Sequence, residues 1–161
     1  DDTSRQSFQE SVWDYPRPPR LEPVSGLIEV WFAGERIART RNAVRILETS
    51  HPPTFYLPAE DVRTDLLVET SRTSYCEWKG RARYGDLVVG DRCSRQAAWF
   101  YPDPDPRYPE LKDRVSFYPS RVDRCTVDGA AVQAQEGDFY GGWITPGLKG
   151  PFKGGKGTLH W

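Results

Sequence analysis

With 161 residues the chain has the length of one ordinary domain and can bury roughly two-thirds of its unfolded surface, so a core needs neither metal nor disulfide. A net charge of −1, with 28% charged residues, excludes a global field that would recruit nucleic acid or an anionic membrane. The three cysteines, Cys76, Cys93 and Cys125, form no C-x-x-C pair and no even set, which argues against both a zinc site and a disulfide framework.

Residues 1–26 are polar and carry the Pro-rich stretch YPRPPRLEP, which is expected to lie extended and to be pinned to the surface by Trp13 and Tyr15. A β core is expected over 27–136. LIEVWFAGERIARTRNAVRILET alternates with period two around Ala33-Gly34, which predicts a hairpin continued by a third strand through Val44 and Ile46. TFYLP reads as a short strand closed by Pro58, and Ala59 to Leu67 as one helical turn with acidic residues at its start. SYCEWKG, ARYGDLVVGDRCS and AAWFYPDP read as three strands, with Gly85-Asp86 and Gly90-Asp91 as turn or bulge signals. A short helix is expected at Glu110–Arg114. VSFYPSRVDRCTVDGAAVQ gives two strands, the second a hairpin at Asp128-Gly129.

Residues 137–161 are rich in Gly and aromatics without a period. They predict a wrap over the sheet, within the same domain, anchored by Phe139, Tyr140, Trp143, Phe152 and Trp161. The fold class is mainly β: a single barrel-like domain of short antiparallel strands with one or two helical turns. No apolar run approaches 18 residues and no leader pattern is present, so a soluble, cytoplasmic protein is expected. The absence of Met suggests that Asp1 is not the translated start.

At HPPTFYLPAEDVR, YCEWKG, AAWFYPDP and VSFYP the chain resembles the bacterial domain-of-unknown-function 427 family, catalogued as a nucleotidyltransferase domain. The family core corresponds to about Ile28 to Asp123, and ESVWDYPRPPRLEP and FYGGWITPGLKGPFKGGKGT resemble the flanks of longer members. The resemblance implies a β-tent fold similar to methionine sulfoxide reductase B and related zinc proteins. The paired C-x-x-C ligands of those relatives have no counterpart here, so no metal is carried over. Nor does the chain hold a Gly-Ser plus paired-Asp metal site or a phosphate loop: GPFKGGKG lacks the G-K-[ST] ending and a following helix.

The densest set of chemical groups lies between Ile46 and Gly80. His51, beside Pro52 and Pro53, is a candidate general base or acid, or else a group that orders its turn through a backbone carbonyl. Glu48 falls on the same face as Val44 and Ile46, where a carboxylate needs either a catalytic reason or an ion pair with Arg63 or Lys79. Arg63 can fork onto a substrate anion or serve a structural salt bridge, and Asp61 reads as a helix cap. Alternation puts Tyr75, Glu77 and Lys79 on one strand face and Cys76 and Trp78 on the other. Cys76 is then a small core residue, and Lys79 either projects into a cleft as an oxyanion stabiliser or is solvated. Trp99 and Tyr101 share a face and can wall an aromatic pocket, as can Phe117 and Tyr118, with Tyr56 and Tyr75 nearby.

The expectation is a small-molecule enzyme or ligand binder that works without a cofactor. Glu48, His51 and Lys79 are its catalytic candidates, and Tyr56, Arg63, Tyr75, Trp99 and Tyr101 its substrate contacts. Isomerase, cyclase or lyase chemistry is favoured; a non-catalytic binding module, or nucleotidyl transfer as the family label implies, are the alternatives. The expected partner is a small molecule, with no nucleic acid and no membrane. A homodimer is compatible with the sequence.

Overall fold

The computed structural model describes residues 9–137, 139–158, 160 and 161. Short runs of alternating apolar residues, broken by Gly and Pro, form strands β1 (Glu10–Ser11), β2 (Arg20–Pro23), β3 (Ile28–Phe32), β4 (Glu35–Thr40), β5 (Val44–Leu47), β6 (Thr54–Pro58), β7 (Leu67–Cys76) and β8 (Gly80–Val89). They continue as β9 (Arg92–Phe100), β10 (Arg114–Phe117), β11 (Arg124–Val127), β12 (Ala130–Ala131), β13 (Gln133–Ala134), β14 (Trp143–Ile144) and β15 (Leu148–Lys149). The only helices among the described residues are three-residue 3-10 turns, so the protein is mainly β.

Seven strands form an antiparallel sheet in the order β2-β5-β6-β10-β9-β8-β7, and four form a second in the order β12-β11-β3-β4. Neither closes into a barrel. The core lies between the two sheets: Ile28, Val30, Phe32 and Ile37 from the smaller meet Phe55, Leu57, Leu87 and Phe117 from the larger. Alternation turns Tyr56, Tyr84 and Trp99 to the opposite face of the larger sheet, where they form a second, aromatic cluster with Tyr101, Tyr108 and Tyr118.

The hairpin at Ala33-Gly34 forms as predicted, with φ of 52° and 78° at its two central residues, the geometry of a type I′ turn. The strand after it does not extend that hairpin. β5 pairs with β2 and β6 and so carries the chain into the larger sheet. The predicted helical turn at 59–67 is two 3-10 turns, Ala59–Asp61 and Thr64–Leu66. Helix cannot propagate because Arg63 N–H is drawn to Ile37 O, 2.7 Å away, and Val62 bridges Ala38. The helix expected at 110–114 is the 3-10 turn Pro109–Leu111, and Arg114 already opens β10. The signal at Gly85-Asp86 marks a bulge: Gly85 pairs with Ala98 and Leu87 with Ser94, and Asp86 accepts from the Gln96 N–H of the bulged strand at 2.8 Å.

The segment before β2 is tied down by charge and burial. Arg45 on β5 grips Glu10 through both terminal nitrogens at 3.0 Å and bonds Glu22 at 2.7 Å. Tyr15 is buried against Val12 and Leu47, whereas Trp13 stays 42% exposed and donates to Pro151 O at 2.8 Å. The C-terminal segment is fixed by Trp143, which is fully buried, stacks on Phe55 at 4.8 Å and donates from Nε1 to Phe117 O at 3.0 Å. No helix among the described residues is long and apolar enough to cross a membrane.

Trp143→Ala should therefore cost about 3–5 kcal/mol of unfolding free energy in urea titrations. Trp143→Phe keeps the stack but strands the Phe117 carbonyl, and should cost about 1–3 kcal/mol. Equal losses in the two variants would contradict the stacking argument.

Candidate functional site

The aromatic face of the larger sheet is the floor of a cavity of about 290 Å³. Trp99 is its central plate, with Tyr118 4.6 Å away and Tyr56 set edge-on at 6.1 Å. Hydrogen bonds fix the phenols around it: Tyr84 Oη pairs with Ser74 Oγ at 2.8 Å, and Tyr118 Oη donates to Phe139 O at 2.8 Å. Gly141 crosses directly over Trp99, and a Cβ at this position would collide with the indole ring. A glycine is thus required for the C-terminal segment to lie so close to the floor.

One wall is the turn that follows β5. His51 N–H donates to Glu48 O at 3.0 Å, and His51 Nε2 stands 3.7 Å from Glu48 Oε2. Arg17 Nε reaches the same carboxylate oxygen at 3.6 Å. Burial pushes the His51 pKa down to about 3, and the positive charges of Lys153, Lys79 and Arg17 push it in the same direction. The imidazole is therefore neutral at physiological pH and meets the edge of Tyr140 at 4.8 Å.

The other wall carries Lys79. Burial works against its charge, but Tyr101, Tyr56, Cys76 and Glu48 around it outweigh that effect and hold it well above the ordinary lysine value. Its Nζ lies 6.0 Å from the Tyr101 ring centroid. Burial raises the Tyr101 phenol well above its usual value, so Tyr101 is a neutral hydroxyl. Lys153, from the C-terminal segment, sits 5.3 Å from the Tyr140 ring and donates to Trp161 O at 3.4 Å. Among the described residues no Asp or Glu carboxylate lies within 4.0 Å of either lysine. The site thus combines a carboxylate that can accept a proton, a neutral imidazole and two lysines that no Asp or Glu side chain pairs with. No group of three or more His, Cys, Asp or Glu among the described residues is gathered to hold a metal ion.

Of the residues predicted from sequence, Glu48, His51, Lys79, Tyr75, Trp99 and Tyr101 all line this cavity. Tyr75 does so from the rim, 69% exposed. Tyr56 is completely buried one layer behind Trp99, its hydroxyl accepting from Thr54 at 3.2 Å. Arg63 is elsewhere: it forks onto Asp65 at 2.9 and 3.0 Å on the exposed surface, because a partner two residues away captures it locally. Asp61 is not a helix cap but accepts from Thr40 Oγ1 at 2.7 Å. Glu48 pairs with Arg17, not with Arg63 or Lys79. Cys76 is not a core residue, because β7 ends there and Glu77–Lys79 forms a turn that breaks the alternation. Cys76 and Lys79 consequently line the same cavity.

Sequence reasoning missed Arg17, Tyr84, Gln135 and Lys153, and took Tyr140 only as an anchor. Tyr84 was within reach, since it follows Ala82 on the face that β8 turns to Trp99. Lys153 lies in the glycine-rich stretch that carries no period.

The family described as "Domain of unknown function (DUF427)" matches residues 20–128. Glu48, His51, Lys79, Trp99 and Tyr101 fall inside that match, and Arg17, Tyr140, Gly141 and Lys153 outside it. No curated protein matches the chain.

The depressed His51 value has a signed consequence. Between pH 6.5 and about 3 the unfolded chain binds a proton at His51 that the folded chain does not, so stability is lost as pH falls through this window. The slope approaches about 1.4 kcal/mol per pH unit. In urea unfolding at pH 7.5 and 4.5, His51→Gln should lose about 3 kcal/mol less than the unsubstituted protein. Parallel losses would place the His51 value near its ordinary range.

Proposed function

The chain belongs to this family of unknown function, and for it we propose a small-molecule site that carries out acid–base chemistry on a planar anionic substrate without a cofactor. One observation carries the reading: a carboxylate, a neutral imidazole and a lysine that no Asp or Glu side chain among the described residues pairs with face one aromatic-floored cavity.

Glu48 is the proton acceptor in this reading. Arg17 stands 3.6 Å and the neutral His51 imidazole 3.7 Å from its Oε2, which leaves the proton to the carboxylate. Lys79 supplies the fixed positive charge that stabilises an enolate or oxyanion as the proton leaves. Trp99 and Tyr101 hold the substrate plane. Isomerisation, cyclisation and elimination all begin with such a step.

A binding-only role is the second reading. It is favoured by the Arg17–Glu48 contact, which gives the carboxylate a structural partner.

Proton NMR in D₂O, with a mixture of small carbon acids, separates the two. The protein should wash out one C–H signal. Glu48→Gln and Lys79→Met should each lower that rate by roughly 10²–10⁴, with folding preserved. Exchange that survives both substitutions would overturn the catalytic assignment.

A further inference from the structure

We infer that the ligand of this cavity is a compact aromatic carboxylate, a single ring held among Trp99, Tyr101 and Tyr140 with its carboxylate on Lys79 and Lys153; the inference rests on reading the cavity as a small-molecule site. Size comes first. About 290 Å³ lies at the lower edge of the range of about 300–1,000 Å³ for small-molecule pockets, which suits one ring and its substituents better than a nucleotide.

The aromatic lining argues for a flat ring. Trp99 is 5% exposed, held between Tyr118 and Tyr56 with Gly141 crossing its face, so it meets a ligand only at its edge, beside Tyr101 and Tyr140. Edge-to-face contact with such rings favours a flat ring over an aliphatic body of equal size.

Charge argues for an anion. Lys79, Lys153 and Arg17 surround His51, whereas the carboxylate at that wall, Glu48, is already engaged by Arg17. Neither lysine is paired with an Asp or Glu side chain among the described residues, and Lys153 has only Trp161 O, 3.4 Å away.

Carboxylate is favoured over phosphate by what surrounds those cations. Phosphate sites recruit helix N-termini, backbone nests or Arg forks. The described residues contain no helix longer than three residues. Arg17, the guanidinium at this wall, is turned to Glu48, Thr49 O and Trp161 O. Two point charges and the neutral hydroxyl of Tyr101 match the two oxygens of one carboxylate.

Calorimetric titration of the intact chain with benzoate, benzamide, cyclohexanecarboxylate and phenyl phosphate tests this directly. Benzoate should bind, and each of the other three should bind more weakly by roughly tenfold. Lys79→Met and Lys153→Met should each weaken benzoate by roughly tenfold or more. Lys153 lies on the C-terminal segment, so its variant remains informative if Lys79→Met does not fold. Equal affinity for benzamide, tighter binding of phenyl phosphate, or no benzoate binding at millimolar concentration would each overturn the inference. Charge-blind binding alongside Glu48-dependent proton exchange would remove the ligand class alone. Lysine-dependent benzoate binding without such exchange would remove the catalytic reading alone.

Discussion

The pocket depends on how the turn from Glu48 to Pro53 is held from both sides. From the N-terminal side, Ser50 N–H donates to Val12 O at 3.1 Å and Thr49 N–H to Pro16 O at 3.4 Å. From the C-terminal side, Lys153 N–H donates to Ser50 O at 2.8 Å and Trp143 N–H to Pro53 O at 2.7 Å. Ser50 is fully buried in a left-handed conformation with φ of 71°, a geometry that costs on the order of 1 kcal/mol for a residue with a Cβ. These bonds offset that cost. The terminal segments are therefore parts of the site: they set His51 against the cavity and bring Arg17, Tyr140 and Lys153 to it.

This arrangement also explains how one sheet serves two purposes. In β6 the sequence Phe55-Tyr56-Leu57 sends its aliphatic and phenyl groups to the inter-sheet core and its phenol to the opposite face. The core face is fully apolar and carries the stability. The other face bears hydroxyls that need partners, and it finds them in Thr54, Ser74 and the Phe139 carbonyl. The Tyr56, Tyr84 and Tyr118 hydroxyls of the floor are thus already partnered, and closing it requires only a segment thin enough to pass above Trp99. Gly141 meets that requirement.

What the sequence made legible follows from the range of the forces involved. Local geometry was readable: the Ala33-Gly34 turn, the bulge at Gly85-Asp86 and the shared face of Trp99 and Tyr101 all follow from backbone rules acting over a few residues. Pairing at a distance was not. Glu48 found Arg17 thirty-one positions upstream, while Arg63 was taken by Asp65 two positions on, and nothing in composition ranks those choices. Alternation failed at Cys76 because it assumes a continuous strand, and the chain turned there. The wall built by Tyr140, Gly141 and Lys153 was hidden because glycine-rich, irregular backbone has no period to detect.

The electrostatics of the site turn on which group stays neutral. Had His51 been charged, it would have joined Arg17 in neutralising Glu48, and the carboxylate would be an element of structure. Burial and three nearby cations instead keep the imidazole neutral, so it stands beside Glu48 without claiming its proton. Lys79 responds in the opposite way to burial, because Tyr101, Tyr56, Cys76 and the Glu48 carboxylate around it favour its charge. Two neighbouring bases of the same pocket are thereby driven apart, one fixed neutral and the other fixed positive. Such separation is what a site needs if Glu48 is to take a proton while the charge left on the substrate is stabilised elsewhere.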